Sequence, residues 1–544
     1  MSFQPTYDGK VPRHPDAVIE LFRAKGWWGE DSIDDRLAVQ VEKNRDSVAV
    51  VDSDVRITYA ELNELVTRAA GGLRSLGVGV GDFVTLALPN WWEQVIVTFG
   101  AVRLGAIVAP VSVRLRGELE FILEYTDSKV VVVPEEFHGF GHRDLIEEMS
   151  ERLPNLAATV VVRSTGPQSG QAMSFEQLLE AGQGAKDFPK LDSDDPWQVI
   201  FTSGTTGAPK GVVRTHNITV HTIDNLINHY RYFDGDGSAV ALAVLPISFV
   251  FAQYLCELGA LLTGGRLVLL EDFTPAEMFE LINREGVTYT GIVPSMVSRL
   301  LEEPNKPDEF PTLQCVSPAG EAVTPERKEQ MADIFSCAIR ESYGLAECTW
   351  PLGQLPEAPT DKLLGRTGTQ SPTVSIQVVD DGAALGPDEI GELLLGGPTL
   401  FPGYLGNPDV TASVIADDGW FQTGDLAYFD DDGYYAICGR KKDVIKRSGA
   451  QVIPQEIEDA LSAHPSVKEV AVVGLPDDRR GEIACACVVP EPNTTVTASE
   501  LLEFLDGKLA TYKLPERIEL FQHLPISNNG KILKNELRDK LVAT

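Results

Sequence analysis

The sequence predicts an α/β fold made of a large amino-terminal domain, with parallel α/β sheets plus a β subdomain, and a small α+β domain at the carboxyl end. The chain has 544 residues, which is too long for one compact core. Apolar strand patterns alternate with helical patterns over residues 58–133 and again over 240–316, which is typical of βαβ units with parallel sheets. From about residue 365 the pattern changes to short strands and turns, which indicates an antiparallel β subdomain.

The first series of elements begins with a helix whose capping-box pair is Thr58 and Glu61. The pattern that follows it predicts helices and strands in alternation: strands 83–88, 107–111 and 129–133, and helices 92–104 and 118–125. Residues 164–195 are polar and rich in glycine, so we expect a loop there.

The second series contains one helix with strong terminal signals, because Thr274 is a good N-cap and Pro275 stands at the first helical position. The strands expected around this helix and in the β subdomain are 240–245, 266–270, 287–292, 313–316, 374–379, 392–395, 420–424 and 434–438. We divide the chain into domains 1–438 and 439–544. The smaller domain should contain helices at 454–462, at 497–509 and from residue 534, with strands at 469–473, 483–489 and 517–521.

The composition excludes several classes of function. With 80 acidic against 46 basic residues the net charge is −34, which argues against nucleic acid or an anionic membrane as the main partner. The chain has no run of about 18 apolar residues, so we expect no membrane span. The amino end lacks the apolar core of a signal peptide, which predicts a cytoplasmic location. The seven cysteines lie in apolar surroundings and should be reduced core thiols.

The run FTSGTTGAPKGVV, residues 201–213, has the composition of a triphosphate-binding loop. Glycines let the backbone approach a polyanion closely, while hydroxyl and backbone N–H groups surround it and a lysine supplies mobile charge. The residues expected to bind the nucleotide are Thr202, Ser203, Gly204, Thr205, Thr206, Gly207 and Lys210. Gly211 follows the lysine where the common P-loop has Ser or Thr, so this is a different kind of loop.

This run resembles the signature loop of the acyl-adenylate-forming (AMP-binding) superfamily, in particular its acyl-CoA synthetase branch. Six segments resemble the family's motifs in the same order, and together they cover roughly residues 30–541. The resemblance implies that ATP and a carboxylic acid form an acyl-adenylate, whose acyl group then passes to a thiol. It also implies Mg²⁺ as a cofactor.

The segment ESYGLAE, residues 341–347, resembles the family's Tyr-Gly-x-Thr-Glu motif, in which the ring stacks on adenine and the last glutamate binds Mg²⁺. The resemblance assigns the following residues to the nucleotide: Glu341, Ser342, Tyr343, Gly344 and Ala346, with Gly320, Glu321 and Ala322 at the adenine edge. It assigns Glu347 to the metal ion. Ala346 stands where threonine is usual, so one hydroxyl contact to phosphate is missing.

Three further segments resemble the ribose, hinge and catalytic-lysine motifs. Asp425 and Arg440 would bind the ribose hydroxyls, and Lys446 is assigned to the cofactor as well. Lys442 takes the hinge position, and Gly449 lies where the pantetheine thiol must pass. Because one small domain carries residues for both steps, we expect it to be mobile and to turn about the hinge between them.

The catalytic lysine is expected at Lys531, in the segment LPISNNGK at residues 524–531. Its charge would bridge the substrate carboxylate and the α-phosphate, two anions that otherwise repel each other. An opposite charge at about 4 Å is worth several kcal/mol in a site partly shielded from water.

The acid should be uncharged and hydrophobic, which means alicyclic, aryl or medium-chain. Phe249 replaces the histidine of the family's Leu-Pro-x-x-His segment, and no acidic residue lies between Pro246 and Tyr254 to hold an amino group. The residues expected to line an apolar pocket are Phe249, Phe251, Tyr289, Gly291 and Ile292.

Coenzyme A is the expected acceptor, with acyl-CoA, AMP and pyrophosphate as products. A free-standing adenylase that loads the phosphopantetheine of a carrier protein is the alternative. A non-catalytic adenylate-binding protein is a second alternative, which the intact Lys531, Glu347 and Asp425 disfavour. The sequence leaves the oligomeric state open, a homodimer included.

Overall fold

The computed structural model describes residues 2–114, 116–166, 170–202, 209–320, 323–492, 494–525 and 532–542. Within these ranges the chain forms four large β-sheets with helices packed between and around them. None of the helices in the described ranges is long and apolar enough to cross a bilayer.

The first sheet has seven strands, and only its last pair is antiparallel. In spatial order the strands are Ala172–Ser174, Ala158–Val162, Val130–Pro134, Phe83–Leu86, Ile107–Pro110, Pro196–Thr202 and Lys210–Thr215. The strands expected at 83–88, 107–111 and 129–133 are confirmed to within two residues at each end.

The second sheet also has seven strands, of which the last two form an antiparallel hairpin at one edge. In spatial order they are Ala338–Ile339, Cys315–Pro318, Tyr289–Ile292, Val240–Ala243, Arg266–Leu269, Val48–Asp52 and Val55–Thr58. The four strands expected between residues 240 and 316 are confirmed, although the last of them runs to Pro318. The hairpin at 48–58 lies before the first element that we predicted.

One apolar core is shared by the two sheets, because a layer of helices lies between them. The helices of this layer are Ile33–Lys43, Tyr59–Ser75, Trp92–Arg103, His216–Asn228 and the helix 250–261. Helices on the outer faces and at the amino end are Asp16–Ala24, Arg116–Thr126, His142–Met149, Pro275–Glu285, Ser295–Leu301, Pro325–Phe335, Thr360–Gly365 and Pro408–Val414. Short hairpins join Thr6–Asp8 to Val11–Arg13 and Glu136–Phe137 to Phe140–Gly141.

The expectation of a structureless loop over residues 164–195 is wrong. A short strand, Ala172–Ser174, pairs with the first sheet, and the helix Phe175–Ala181 follows it with a capping box between Ser174 and Gln177. Gly72 permits this helix to pack closely, since a methyl group there would lie 2.2 Å from the Leu178 carbonyl oxygen. The polar composition obscured an element that is held in place by close helix contact.

The third sheet confirms the antiparallel β subdomain. Its eight strands, in spatial order, are Ser342–Tyr343, Leu352–Gly353, Gly368–Gln370, Tyr434–Arg440, Phe421–Phe429, Gly391–Gly396, Ser375–Asp380 and Ala383–Ala384. Its strand Tyr434–Arg440 extends two residues beyond the predicted domain boundary at 438, so the boundary stays a prediction.

The fourth sheet forms the small α+β unit that we predicted at the carboxyl end. Its strands are Ile445–Arg447, Ala450–Val452, Val467–Asp477, Gly481–Pro490 and Arg517–Leu520, and its helices are Pro454–Ser462, Ala498–Leu505 and Lys534–Val542. Apolar clusters cover both faces of this sheet. All seven cysteines of the chain are free thiols, and all except the half-buried Cys337 are buried, as expected.

The helix 250–261 is irregular, because its middle turn, Gln253–Leu258, has π-helical hydrogen bonds. Glu257 in this turn is fully buried. Gln253 accepts a hydrogen bond of 2.7 Å at Oε1 from the Gln198 amide of the first sheet. Burial raises the pKa of the Glu257 carboxyl from its ordinary 4.5 to about 8, against the opposing effect of the Gln253 amide.

This raised pKa predicts a loss of stability as the pH rises. The folded state binds the Glu257 proton more tightly than the unfolded state does. The resulting contribution to the free energy of unfolding is complete below pH 4.5, the ordinary pKa, and is lost as the pH rises to about 8. The loss is at most about 1.4 kcal/mol per pH unit. Denaturant unfolding between about pH 5.5 and pH 8.5 should therefore show Glu257→Gln gaining stability over the wild type as the pH rises.

Glu285→Gln is the matched control for this measurement. Glu285 is also buried, but its hydrogen bonds with Arg56 lower its pKa, so it is ionised throughout this range. The cost of Glu285→Gln should be the same at every pH above about 5.5. An equally constant difference for Glu257→Gln would mean that Glu257 is not a neutral buried acid.

Candidate active site

The two ends of the predicted phosphate loop are fixed by an antiparallel pair of strands. Thr202 and Lys210 lie opposite each other in the register of Pro196–Thr202 and Lys210–Thr215. The Lys210 ammonium lies 5.3 Å from the centroid of the Tyr404 ring. The intervening residues predicted to bind nucleotide, Ser203, Gly204, Thr205, Thr206 and Gly207, lie outside the described residues.

Glu347 contacts Tyr404, whose ring lies beside Lys210 at the start of the strand Lys210–Thr215. Its Oε1 accepts a hydrogen bond of 2.8 Å from the Tyr404 hydroxyl, and its carbonyl oxygen accepts one of 2.7 Å from the Phe401 N–H. Burial, followed by the nearby Glu347 charge, raises the pKa of Tyr404, so this hydroxyl stays protonated and donates. A single carboxylate here fits Mg²⁺, which typically binds one or two carboxylates together with substrate phosphates and water.

Arg214 fixes the segment that carries Glu347, and the sequence analysis missed it. Its guanidinium is fully buried and donates to the Ala346 carbonyl at 2.5 Å, the Tyr254 hydroxyl at 2.8 Å and the Thr349 hydroxyl at 2.9 Å. Among the described residues no carboxylate forms a salt bridge with it. In the sequence Arg214 is a single arginine in an apolar strand. Since arginine is rarely fully buried, the pattern did not predict that this side chain lies in the core.

Three of the residues predicted for ribose and adenine, Tyr343, Asp425 and Arg440, form one cluster. Asp425 and Arg440 are directly opposite each other in the third sheet, with Arg440 Nε 2.6 Å from Asp425 Oδ1. The Tyr343 hydroxyl donates to Asp425 Oδ2 at 2.5 Å. Burial, and then the Asp425 charge, raises the pKa of Tyr343 well above its ordinary value, so the hydroxyl remains a donor. Asp425 is 3% exposed, so its carboxylate is held rigidly.

Glu341 is committed to a buried ion pair. Its carboxylate lies 2.6 Å from the Lys328 ammonium, and its backbone N–H donates to Gln354 at 2.8 Å. Burial raises the pKa of Glu341, and the Lys328 charge opposes that effect. Lys328 belongs to the helix Pro325–Phe335, which begins just after the predicted adenine-edge segment. Because Lys328 stands among charged residues in the sequence, nothing there distinguishes it as the buried partner of Glu341.

The remaining nucleotide residues are placed as follows: Ser342 and Ala346 are half-buried, Gly320 and Gly344 are exposed, and Glu321 and Ala322 lie outside the described residues. Their roles stay predictions.

Two of the predicted pocket residues are in direct contact. A methyl group on Gly291 would lie 2.4 Å from Phe251 Cε1, so the ring packs on the bare backbone. Phe251 also stacks on Trp350, with a centroid distance of 5.3 Å and an angle of 13° between the rings. Nothing in the sequence indicated that Trp350 belongs to this group. Phe249 is half-buried at the start of the same helix.

The other two predicted pocket residues are placed differently. Tyr289 is buried and stacks on Phe233 at 5.0 Å. The Ile292 side chain lies in the apolar cluster on the opposite face of the second sheet, because neighbouring residues of a strand point to opposite faces. We therefore leave Ile292 out of the pocket.

Three of the four carboxyl-terminal site residues, Lys442, Lys446 and Gly449, follow Arg440 closely in the sequence. Lys442 is exposed in the short 3₁₀ helix Lys441–Asp443, directly after Arg440. Gly449 has a φ of +87° at the tip of a hairpin, and no atom lies within 4 Å of the position of a Cβ there. Lys446 is exposed in that hairpin, and Lys531 lies outside the described residues.

Comparison with known proteins identifies the family. The chain matches the AMP-binding enzyme family over residues 37–405 and the AMP-binding enzyme C-terminal domain over residues 456–531. It is 33% identical to 2-hydroxy-7-methoxy-5-methyl-1-naphthoate–CoA ligase of Streptomyces carzinostaticus, in an alignment that covers 98% of this chain and 97% of the relative. It is 30% identical to 2,3-dihydroxybenzoate-AMP ligase of Bacillus subtilis, over 97% of both chains.

Solved structures agree with this match. The anthranilate CoA ligase AuaEII in complex with anthranoyl-AMP superposes with a TM-score of 0.85 at 25% identity, over 94% of this chain and 98% of that one. ATP-bound MatB from Rhodopseudomonas palustris superposes with a TM-score of 0.84 at 27% identity, over 94% of this chain and 99% of that one. The resemblance found in the motifs is thereby confirmed, and the chain belongs to the AMP-binding enzyme family of adenylate-forming ligases.

Proposed function

We propose that this protein activates an uncharged aromatic carboxylic acid as its acyl-adenylate and transfers the acyl group to coenzyme A. The observation that carries the proposal is that one segment, 341–347, contacts both predicted parts of the nucleotide site. At one end Tyr343 contacts Asp425, the carboxylate predicted to bind the ribose. At the other end Glu347 contacts Tyr404, which lies beside Lys210. We infer that the base and ribose of ATP bind at the first of these ends and the phosphates at the second.

In the first half-reaction, a carboxylate oxygen of the acid attacks the α-phosphorus of ATP, and the bond to the bridging oxygen of pyrophosphate breaks. Lys531 is the residue that we assign to hold the two anions together, and Lys210 meets the phosphates from the loop strand. Mg²⁺ at Glu347 would neutralise charge on the departing pyrophosphate. In the second half-reaction, the thiol sulfur attacks the acyl carbonyl and AMP leaves.

An aromatic acid is favoured by the geometry of the pocket. Phe251 and Trp350 are stacked nearly parallel, and the Phe251 ring packs closely on the backbone of Gly291. Flat apolar surfaces of this kind suit a ring, since stacked aromatic contacts add to the burial of apolar area. Relatives named for naphthoate, 2,3-dihydroxybenzoate and salicylate support the same substrate class.

The names of relatives also support a choice of acceptor. Several of them are named as CoA ligases or synthases, which favours coenzyme A. A carrier protein stays the alternative acceptor, because a 2,3-dihydroxybenzoate-AMP ligase is also similar. We place the reaction in the cytoplasm, where ATP and coenzyme A are available, and propose that domains 1–438 and 439–544 change their relative orientation between the half-reactions.

A panel of aromatic, alicyclic, medium-chain and amino acids tests the proposal. ATP–pyrophosphate exchange should be strongest with aromatic acids and absent with amino acids. Free coenzyme A and a phosphopantetheinylated carrier protein are then offered separately, and thioester formation is measured by mass spectrometry. Exchange without any thioester on coenzyme A would refute the acceptor, and a protein that binds adenylate without exchange would refute the activity.

The two half-reactions should separate in three variants. Lys531→Ala should lower pyrophosphate exchange by orders of magnitude yet convert a supplied acyl-adenylate to thioester, because its charge acts mainly in the first transition state. Lys442→Pro and Gly449→Trp should keep exchange and lose thioester formation, since one restricts the hinge and the other obstructs the path of the thiol.

Lys43→Ala is the control for charge removal, because Lys43 is exposed on the helix Ile33–Lys43 away from these residues. If all three site variants lose both half-reactions in parallel, the reorientation of the small domain is contradicted.

The Phe251–Gly291 contact predicts opposite changes in acid preference. Phe251→Ala should admit bulkier acids and weaken small ones by about 1–3 kcal/mol, the usual scale of discrimination in apolar pockets. Gly291→Ala should favour smaller acids, since its methyl group displaces the Phe251 ring. The double variant should recover part of the wild-type profile. Phe249→Ala is expected to behave like Phe251→Ala.

Ile292→Val is the matched control on the other face of the same strand. It should leave the order of the acids unchanged. A wild-type acid profile in both phenylalanine variants would remove these two side chains from the pocket.

Arg214→Met should slow adenylation, because the Ala346 carbonyl loses its charged donor and the adjacent Glu347 loses its position. Hydrogen bonds to charged groups are worth roughly 1.5–3 kcal/mol, so kcat for exchange should fall about 10- to 100-fold. Arg214→Lys should rescue only part of this, since an ammonium cannot reproduce the planar fork.

Arg103→Met is the matched control for loss of a buried arginine, because Arg103 is 7% exposed and pairs with Asp34 away from the site. It should lower the melting temperature and leave kcat unchanged below that temperature. If Arg214→Met and Arg103→Met changed kcat equally, Arg214 would contribute to the stability of the fold and not specifically to the active site.

A further inference from the structure

The segment LPNWWE, residues 88–93, joins the two parallel sheets at the site. It follows the strand Phe83–Leu86 of the first sheet. From there it reaches the carboxyl ends of three adjacent strands of the second sheet: Val48–Asp52, Arg266–Leu269 and Val240–Ala243. Ligands of open α/β sheets bind at such ends. The proposed function gives this segment no role.

Asn90 makes the central contacts. It is 3% exposed, and its Nδ2 lies 3.1 Å from the Ala243 carbonyl oxygen, 3.0 Å from that of Leu245 and 3.0 Å from that of Leu270. Its Oδ1 accepts a hydrogen bond of 2.9 Å from the Ile247 N–H. Since a backbone N–H can only donate, the atom that faces Ile247 must be the oxygen, and the orientation of the amide is fixed.

These contacts hold the loop that leads into the acid pocket. Leu245 and Ile247 flank Pro246, which has no N–H of its own, and the Phe249 N–H closes a turn onto the Pro246 carbonyl at 3.0 Å. Both backbone groups beside the proline therefore depend on a single side chain from another sheet. Phe249 and Phe251 follow immediately.

Asn90 is itself held rigidly. The Trp91 indole donates to Glu271 at 2.6 Å, and the Trp92 N–H donates to Asp52 at 3.3 Å. Arg163 lies 3.9 Å from the Trp91 ring centroid and pairs with Asp52 at 2.6 Å and with Glu93 at 2.9 Å. A side chain fixed on both sides can hold a loop to within a fraction of an ångström.

We propose that Asn90 is a positioning residue that determines which acids the enzyme accepts. Its amide sets the path of residues 245–249 and hence the place of Phe249 and Phe251 relative to Gly291 and Trp350. The inference rests on the proposed function in one respect, that these phenylalanines line the acid pocket.

The test compares Asn90→Ala and Asn90→Asp with the wild type. Alanine removes the three contacts of Nδ2 and the hydrogen bond accepted by Oδ1, and aspartate keeps the shape but places negative charge against three carbonyl oxygens. In both variants KM for the preferred acid should rise about tenfold and the acid profile should broaden, because small displacements of a pocket wall have large effects. KM for ATP should change less than about twofold, since the hydrogen-bonding contacts of Asn90 are with Ala243, Leu245, Leu270 and Ile247 and not with Thr202 or Lys210.

Asn217→Ala is the matched control. Asn217 is 2% exposed and accepts a hydrogen bond of 2.7 Å from the Ile218 N–H, but it does not touch the 245–249 loop. It should lower stability without changing the acid profile. Hydrogen exchange of peptides covering residues 244–252 should become faster in the Asn90 variants and not in this control, and Asn90→Ser is the milder variant should alanine not fold.

Faster exchange in this loop together with an altered acid profile supports the inference. An unchanged acid profile in variants of an active enzyme overturns it, whether or not the loop has loosened. A wild-type protein that exchanges pyrophosphate with no acid of the panel would instead refute the proposed function, so the two failures are distinguishable.

Discussion

A buried arginine constrains the centre of this molecule. Arg214 has no exposed surface, and a guanidinium without partners in such surroundings would cost several kcal/mol, so oxygen atoms must be held against it. They come from Ala346, Tyr254 and Thr349, and thus from two segments that are distant in the chain. Because the donors form a rigid planar fork, the phosphate-loop strand, the helix 250–261 and the Glu347 segment cannot shift independently.

The carboxylates of the site are paired locally, although the protein carries a large negative charge. With a net charge of −34, the protein as a whole repels a nucleoside triphosphate. Inside the site the carboxylates are engaged locally: Asp425 with Arg440 and Tyr343, and Glu347 with Tyr404. Their lone pairs are directed to partners, while Lys210 remains at the end of the loop strand. Local arrangement at short range outweighs the distant surface charge, which salt screens beyond roughly 10 Å.

The sequence predicted many of the strands, and it could be read for motifs that are contiguous in the chain. Alternating patterns predicted the parallel strands, and segment 341–347 could be assigned as a unit. What it could not supply were contacts whose only sign is burial, such as Arg214, Lys328 and Trp350, because the residue type there normally has another explanation. The helix after Ser174 was missed for a similar reason, since close packing against Gly72 and not composition holds it in place. Ile292 shows that proximity in sequence to a pocket residue does not decide which face a side chain takes.

The π-helical turn at Gln253–Leu258 has a consequence for how this helix tolerates a change in chain length. A π turn holds about one residue more than an α turn, so losing one residue here would restore a regular helix and leave the residues on either side in nearly the same relative orientation. Phe251 would then stay against Gly291, while the residues of the turn itself, Glu257 among them, would take new positions. The helix can thus lose one residue in this turn without moving the side chain that packs on Gly291.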